Sequence, residues 1–203
     1  DLHSTSRRQR QMCIRDRMWI GLVCLYGVLK GVRDIIKKKA MEKNSAMEVL
    51  FFYTFISFLF VTPSVKNALS IDFHYIGFVM IKSAIIFIAW ICSFKAIKKL
   101  PIGFYGIMDM SRVIFATVLG VTVLGEVMTG HKIAGMALVL VGLLFVNAKG
   151  KGLGEEKTKP IYIVLVLISC LCNAVSELLD KMLMQSMNSG QLQFWYMFFM
   201  VIL

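Results

Sequence analysis

The sequence is poor in charged residues. They make up 17% of its 203 residues, against about 25% in an average soluble domain, while 58% of the residues are hydrophobic. The long apolar runs that result exclude a soluble domain and predict an all-α polytopic membrane protein. They also exclude a barrel, because they are much longer than the alternating segments of roughly 10 residues that build one.

The sequence also lacks the spacings of a metal, redox or catalytic site. Its five cysteines form no CxxC pair and have no pair of histidines nearby. Four of them lie in or beside apolar segments, where cysteine behaves as a small hydrophobic residue. We therefore expect no disulfide framework, no metal site and no cofactor. His74 and His131 fall at predicted membrane edges, so the sequence offers no nucleophile with a base and predicts no catalytic residue.

What the sequence has is a series of apolar runs that predict about seven membrane-spanning helices. They cover about residues 18–38, 47–65, 73–97, 102–124, 131–147 and 161–184, and a seventh begins near 191 and is cut off at 203. Residues 1–17 carry five arginines and no apolar period, which predicts a non-native, adapter-like tail; the alternative is a basic cytoplasmic tail. Residues 149–160 are a predicted polar linker.

Lysine is concentrated between these runs and accounts for much of the net charge of +11. This is the pattern of cytoplasmic membrane loops, and no nucleic-acid-binding module is recognisable, so nucleic acid is not an expected partner. The lysine-rich loops follow the first, third and fifth predicted spans. The positive-inside rule therefore favours a cytoplasmic location for these three loops, with residue 18 on the other side of the membrane; the opposite orientation is the alternative.

The sequence contains an internal repeat. A shift of 143 residues places 32–55 over 175–198 without gaps, with six identities that include Lys38/Lys181 and Tyr53/Tyr196; chance similarity of apolar sequence is the alternative. The period holds five spans, and an odd number inverts the second copy in the membrane. This predicts an inverted five-plus-five repeat, the plan of many secondary transporters. The chain is then a C-terminally truncated fragment, with a first repeat at 18–148 and the start of a second at 161–203.

Residues 93–146 resemble the EamA module of the drug/metabolite transporter superfamily. The resemblance is carried by Ala96–Lys98 at the end of span 3, by Leu124-Gly125-Glu126 and Thr129 in the turn after span 4, and by a glycine-spaced helix. The residues assigned to its structural motif are Gly125, Glu126, Gly135 and Gly142. One departure is that Ser111-Arg112 occupies the neighbourhood of the usual proline in span 4.

The resemblance implies a secondary transporter that moves a small polar or amphipathic metabolite by alternating access, without ATP hydrolysis. It implies a multi-pass protein of the cell membrane, with the bacterial inner membrane as the expected location. Two alternatives stay open, a non-transporting membrane scaffold or partner subunit and, with less support, an intramembrane enzyme. The expected partners are a small-molecule substrate and the lipid bilayer, with proton coupling and a homodimer as open options.

Charged residues inside the spans are the candidates for the substrate site, because each costs several kcal/mol there unless it is paired or faces water. Asp109 and Arg112 share a helix face three residues apart. In one interpretation Arg112 binds a substrate carboxylate or phosphate and Asp109 orients it. In the other the charges are neutralised in an intrahelical or interhelical pair that only fixes packing. The predicted substrate-binding set is Lys30, Lys82, Trp90, Asp109, Arg112, Asn173 and Glu177.

Two of these candidates follow from the repeat. Lys30 corresponds to Asn173, so we expect the two to face each other near the membrane midplane; the alternative is that Lys30 reaches to the interface along its stem.

Glu177 is the acidic candidate for proton coupling. Glu126 lies in a turn, where we expect a structural role as an acceptor for the free N–H groups that open span 5.

Overall fold

A computed structural model describes residues 2–64, 73–149 and 159–203, and in this part of the chain the regular structure is helical. This confirms the all-α prediction. The helices are α1 (Leu2–Lys43), α2 (Ala46–Val61), α3 (Phe73–Lys99), α4 (Ile102–Asp109), α5 (Ser111–Leu124), α6 (Gly130–Lys149), α7 (Pro160–Leu183) and α8 (Ser189–Ile202), with a 3₁₀ turn at Thr62–Ser64.

The chain divides into two compact units, Asp1–Lys39 and Ala40–Leu203. The described part of the first unit is helical, and its helix begins at Leu2 and continues past Met18, so the backbone has no break where the adapter-like tail was predicted to end. Lys30 belongs to this unit and Asn173 to the other. Their expected proximity therefore stays a prediction.

Among the described helices, three are long and apolar enough to cross a membrane: His74–Lys99, Ile102–Leu124 and Pro160–Leu183. The first and third have a mean hydropathy of 2.1 and the second of 1.7. Helix α2 is apolar but has only 16 residues, and Gly130–Phe145 is similarly short. At 1.5 Å per residue α2 is about 24 Å long, less than the roughly 30 Å of the hydrocarbon core. The chain is nevertheless a polytopic membrane protein.

Side-chain contacts in the second unit show which turns lie together. The Lys98 Nζ donates to the Asn44 carbonyl at 2.8 Å, which places the turn before α2 beside the end of α3. The Lys181 Nζ donates to the Glu126 Oε1 at 2.5 Å, which places the turn after α5 beside the end of α7. The turn before α2 therefore shares one end of the unit with the end of α3, and the turn after α5 lies beside the end of α7.

Helices α3 and α7 form the centre of the second unit. They pack against each other more extensively than any other described pair, and both contribute to two apolar clusters. One cluster contains Phe94 and Cys170, and the other contains Val79 and Leu183, so the two helices run antiparallel. Small side chains let backbones approach closely in a membrane. The small residues buried on these helices are Ser83, Ala89, Ala96, Ser169, Cys170, Ala174 and Ser176.

Candidate functional site

The helix of the fourth predicted span has a one-residue irregularity at Met110, called the break below, where φ is −65° and ψ is −20° and the backbone stays right-handed. Asp109 and Arg112 flank this break. Helix α4 ends at Asp109 and α5 begins at Ser111. The Ser111 hydroxyl donates to the Met108 carbonyl at 2.8 Å, and the Val113 N–H donates to the Met110 carbonyl at 3.0 Å. A side chain that enters the backbone ladder is a known cause of a kink, and here it acts where the usual proline is missing.

Helix α7 contributes to the same break. The Cys170 Sγ lies 3.8 Å from the Met108 carbonyl oxygen and 3.7 Å from that of Asp109, within the range of a weak thiol donor. These carbonyls lie at the end of α4, where the regular helical bonds stop. A neighbouring helix therefore helps to satisfy the backbone that the discontinuity frees, as membrane helices require.

Arg112 stands in the first turn of α5 and pairs with α7. Its Nε lies 3.4 Å from the Glu177 Oε1, and its side chain is 28% exposed. Glu177 lies on the membrane-spanning helix α7, where an unpaired charge is costly. The Arg112 guanidinium offsets that cost.

Glu126 joins the turn after α5 to two lysines. Its carboxylate accepts from Lys132 at 2.9 Å and from Lys181 at 2.5 Å. The expected role of Glu126 as an acceptor for the N–H groups that open α6 is wrong, since these two side chains are its hydrogen-bond partners in the described structure. Gly125 has a φ of 65°, a left-handed conformation that glycine adopts without strain, and the Glu126 N–H donates to the Gly120 carbonyl at 3.1 Å.

The hydrogen bonds from Lys181 and Lys132 lower the pKa of Glu126 from 4.5 to about 2. A carboxyl with a lowered pKa stabilises the fold above its ordinary pKa, and this contribution is lost as the pH falls towards the lowered value. We predict that the difference in unfolding free energy between wild type and Glu126→Gln is constant above pH 4.5 and shrinks between pH 4.5 and about 2. Thermal unfolding in detergent as a function of pH measures it; a difference that changes near neutral pH contradicts the assignment.

Gly120 makes room for the Glu126 carboxylate. A Cβ built on Gly120 lies 3.3 Å from both the Cδ and the Oε2 of Glu126. We predict that Gly120→Ala is less stable by about 1 kcal/mol than the matched control Gly142→Ala, because the Glu126 carboxylate has to shift to accept the methyl group. Both replacements gain the same helix propensity, and a Cβ at Gly142 meets nothing within 4 Å in the described structure. Equal unfolding temperatures for the two variants would contradict the prediction.

The Arg112–Glu177 pair and the group of Glu126 with its two lysines line one cavity of about 430 Å³ between α5, α6 and α7. Its walls carry three cationic and two carboxylate side chains. The apolar and small residues come mainly from α5 and α6. The lining residues are Arg112, Val113, Ala116, Thr117, Glu126, Lys132, Gly135, Met136, Glu177 and Lys181.

Lys82, a predicted site residue, does not line this cavity. It is only 3% exposed, its Nζ lies 2.7 Å from the Asp180 Oδ1, and the same Nζ lies 4.2 Å from the ring centroid of Tyr196 on α8. A charge buried in a membrane helix needs such partners. Three ion pairs within the described residues therefore attach the last turns of α7 to earlier helices: Lys82–Asp180, Arg112–Glu177 and Glu126–Lys181.

The other predicted residues also lie outside the cavity lining. Trp90 packs edge-on against Tyr53, with ring centroids 5.3 Å apart. The Asn173 amide donates to the Ser169 carbonyl of its own helix at 2.8 Å. Asp109 lies at the break, where Cys170 contacts it. Of the two motif glycines on α6, Gly135 lines the cavity, but a Cβ on either Gly135 or Gly142 meets nothing within 4 Å of the described structure.

Sequence reasoning did not single out the residues that complete these contacts. The sequence pattern does not indicate that Lys132 and Lys181 bind Glu126, or that Asp180 pairs with Lys82. It also does not mark Gly120 as the residue beside the Glu126 carboxylate. The available signal was the charged run Glu177, Asp180 and Lys181 at the end of α7. All three residues form ion pairs with earlier parts of the chain.

Comparison with known proteins adds one finding. The family model of the EamA-like transporter family matches residues 17–148, which is more than half of the chain and includes the broken helix and the Glu126 turn. Comparison with curated proteins and with solved structures gives no significant match. The chain therefore belongs to the EamA-like transporter family, which is part of the drug/metabolite transporter superfamily.

Proposed function

We propose that this protein is a secondary transporter that carries a small metabolite with a carboxylate or phosphate group across the membrane. Family membership supports the transporter class. The observation that carries the substrate class is Arg112, a guanidinium that lines a 430 Å³ cavity beside the distorted turn of the fourth predicted span. Charged groups inside membrane spans mark substrate and ion pathways in transporters.

Two properties of the cavity support an anionic ligand. Its lining has one more cation than carboxylates. The Arg112 side chain is partly exposed, and a guanidinium binds planar anions through a fork of donors. The Glu177 Oε1, 3.4 Å from the Arg112 Nε, pairs with the guanidinium in the way that a substrate anion would.

The proposed cycle is alternating access between two inverted repeats. The first covers 18–148 and the second begins at 161, with 149–160 as the linker. A substrate anion competes with Glu177 for Arg112, and Glu177 is then the group available for proton coupling. The proposal includes a multi-pass location in the cell membrane, the bacterial inner membrane first, and a homodimer as the assembly to test. A non-transporting scaffold is not favoured, because it has no use for a charged cavity.

Flux into liposomes tests the proposal. The protein, expressed from its complete reading frame, is reconstituted and offered labelled monocarboxylates, phosphorylated metabolites and neutral compounds of similar size, with and without a pH gradient. We expect saturable uptake or efflux of an anionic compound and none of the neutral ones. Flux of neutral compounds alone contradicts the anion assignment, and the absence of flux for all compounds under both gradients contradicts transport.

A further inference from the structure

The surroundings of Lys82 have the composition of an ammonium-binding site. The Lys82 Nζ lies 2.7 Å from the Asp180 Oδ1 and 4.2 Å from the centroid of the Tyr196 ring. A carboxylate with an aromatic face is a common way to bind a small organic cation, because the ring quadrupole and the charged hydrogen bond both favour it. In the structure this position is occupied by the Lys82 side chain, which itself ends in a primary ammonium on a flexible stem.

Ser176, one turn before Asp180 on α7, has unused hydrogen-bonding capacity. It is 1% exposed, and its hydroxyl has no hydrogen-bond partner in the described structure. Buried polar groups are nearly always hydrogen-bonded, so this hydroxyl has capacity for a partner that the protein does not supply. Ser176 lies four residues before Asp180 on α7, on the same helix face.

The Asp180 carboxylate is accessible from its outer side. The side chain is 33% exposed although its Oδ1 is buried, so the exposed part belongs to its other atoms. The Lys82 side chain is 4% exposed. A ligand cation therefore meets the outer side of Asp180 first and reaches Oδ1 and Tyr196 as Lys82 moves away.

We propose that Asp180, Tyr196 and Ser176 form a binding site for the primary ammonium group of a small-molecule ligand, and that Lys82 occupies this site when the ligand is absent. The ligand ammonium displaces that of Lys82 and gains the unused Ser176 hydroxyl. The site is distinct from the Arg112 cavity. The two assignments are independent, and an ammonium site can exist whether or not the transported substrate is an anion.

Methylammonium chloride is the probe, and the readout is the unfolding temperature of the detergent-solubilised protein against matched sodium chloride. We expect a saturable rise of the unfolding temperature in wild type. Lys82→Ala should show the same rise at a roughly tenfold lower concentration of methylammonium, because the Lys82 ammonium no longer occupies the site in part of the molecules. The rise disappears in Lys82→Ala/Asp180→Asn. Lys98→Ala, which removes another lysine of α3, keeps the wild-type response.

The proposal is wrong if Lys82→Ala shows no response beyond that to sodium chloride, if the double variant keeps it, or if wild type shows none. Should Lys82→Ala fold only when methylammonium is present, that dependence itself supports the site. Should it fold under neither condition, wild type against Asp180→Asn decides, since loss of the response in Asp180→Asn supports the site and equal responses overturn it. The assay needs no transport, so its outcome is separate from that of the flux experiment.

Discussion

Replacing Arg112 with alanine is expected to lower substrate flux by roughly 100-fold while the protein still inserts in the membrane. The reason is that Arg112 is the guanidinium placed at the helix break and directed into the cavity with Glu177. Truncation removes the anion-binding group and leaves Glu177 without this partner. Initial rates in liposomes with equal amounts of inserted protein measure the effect.

Two variants control this experiment. Arg112→Lys keeps the charge but loses the planar fork, so we expect an intermediate rate. Lys98→Ala removes a cation that contacts the Asn44 carbonyl outside the cavity, and its rate is expected to match that of wild type. A wild-type rate in correctly inserted Arg112→Ala would remove Arg112 from the site.

The second large effect is on stability. Lys82→Ala is expected to lower the free energy of unfolding by about 3 kcal/mol, because it leaves the Asp180 carboxylate beside buried α3 without its ion-pair partner. Asp180→Asn has a similar effect, since it leaves the ammonium of Lys82 uncompensated at 3% exposure. Reversible unfolding in mixed micelles of lipid and detergent is the measurement.

The double replacement Lys82→Met/Asp180→Leu separates charge pairing from packing. An apolar pair of similar volume removes both charges, and such replacements are often neutral or stabilising in buried sites. We therefore expect the double variant to recover most of the stability that either single variant loses. Additive losses in the double variant would show that the two side chains act by packing and not as a pair.

The apolar runs predicted helices α3, α6 and α7 closely, because burial in lipid demands length and hydropathy that the sequence displays directly. The break at Met110 was not predicted. It depends on a serine hydroxyl that turns back to the Met108 carbonyl and on Cys170 of a helix about 60 residues away, and neither proline nor glycine marks it. Tertiary contact, and not local propensity, decides the shape of this span.

The sequence predicted several residues of the candidate site, but it did not predict which of them pair with each other. Arg112 and Glu177 were both singled out, but local spacing suggested Asp109 as the partner of Arg112, and the ion pair to Glu177 joins helices distant in sequence. Lys82 was recognised as a charge inside a span. Whether such a charge faces a cavity or a buried carboxylate depends on the neighbouring helix, which a single sequence does not specify.

The three ion pairs of α7 have a consequence for how the chain is held together. Each pair connects a residue before position 150 with one after 159. Side chains of the described helices therefore link the two stretches of chain on either side of 150–158 without any contribution from the backbone between them.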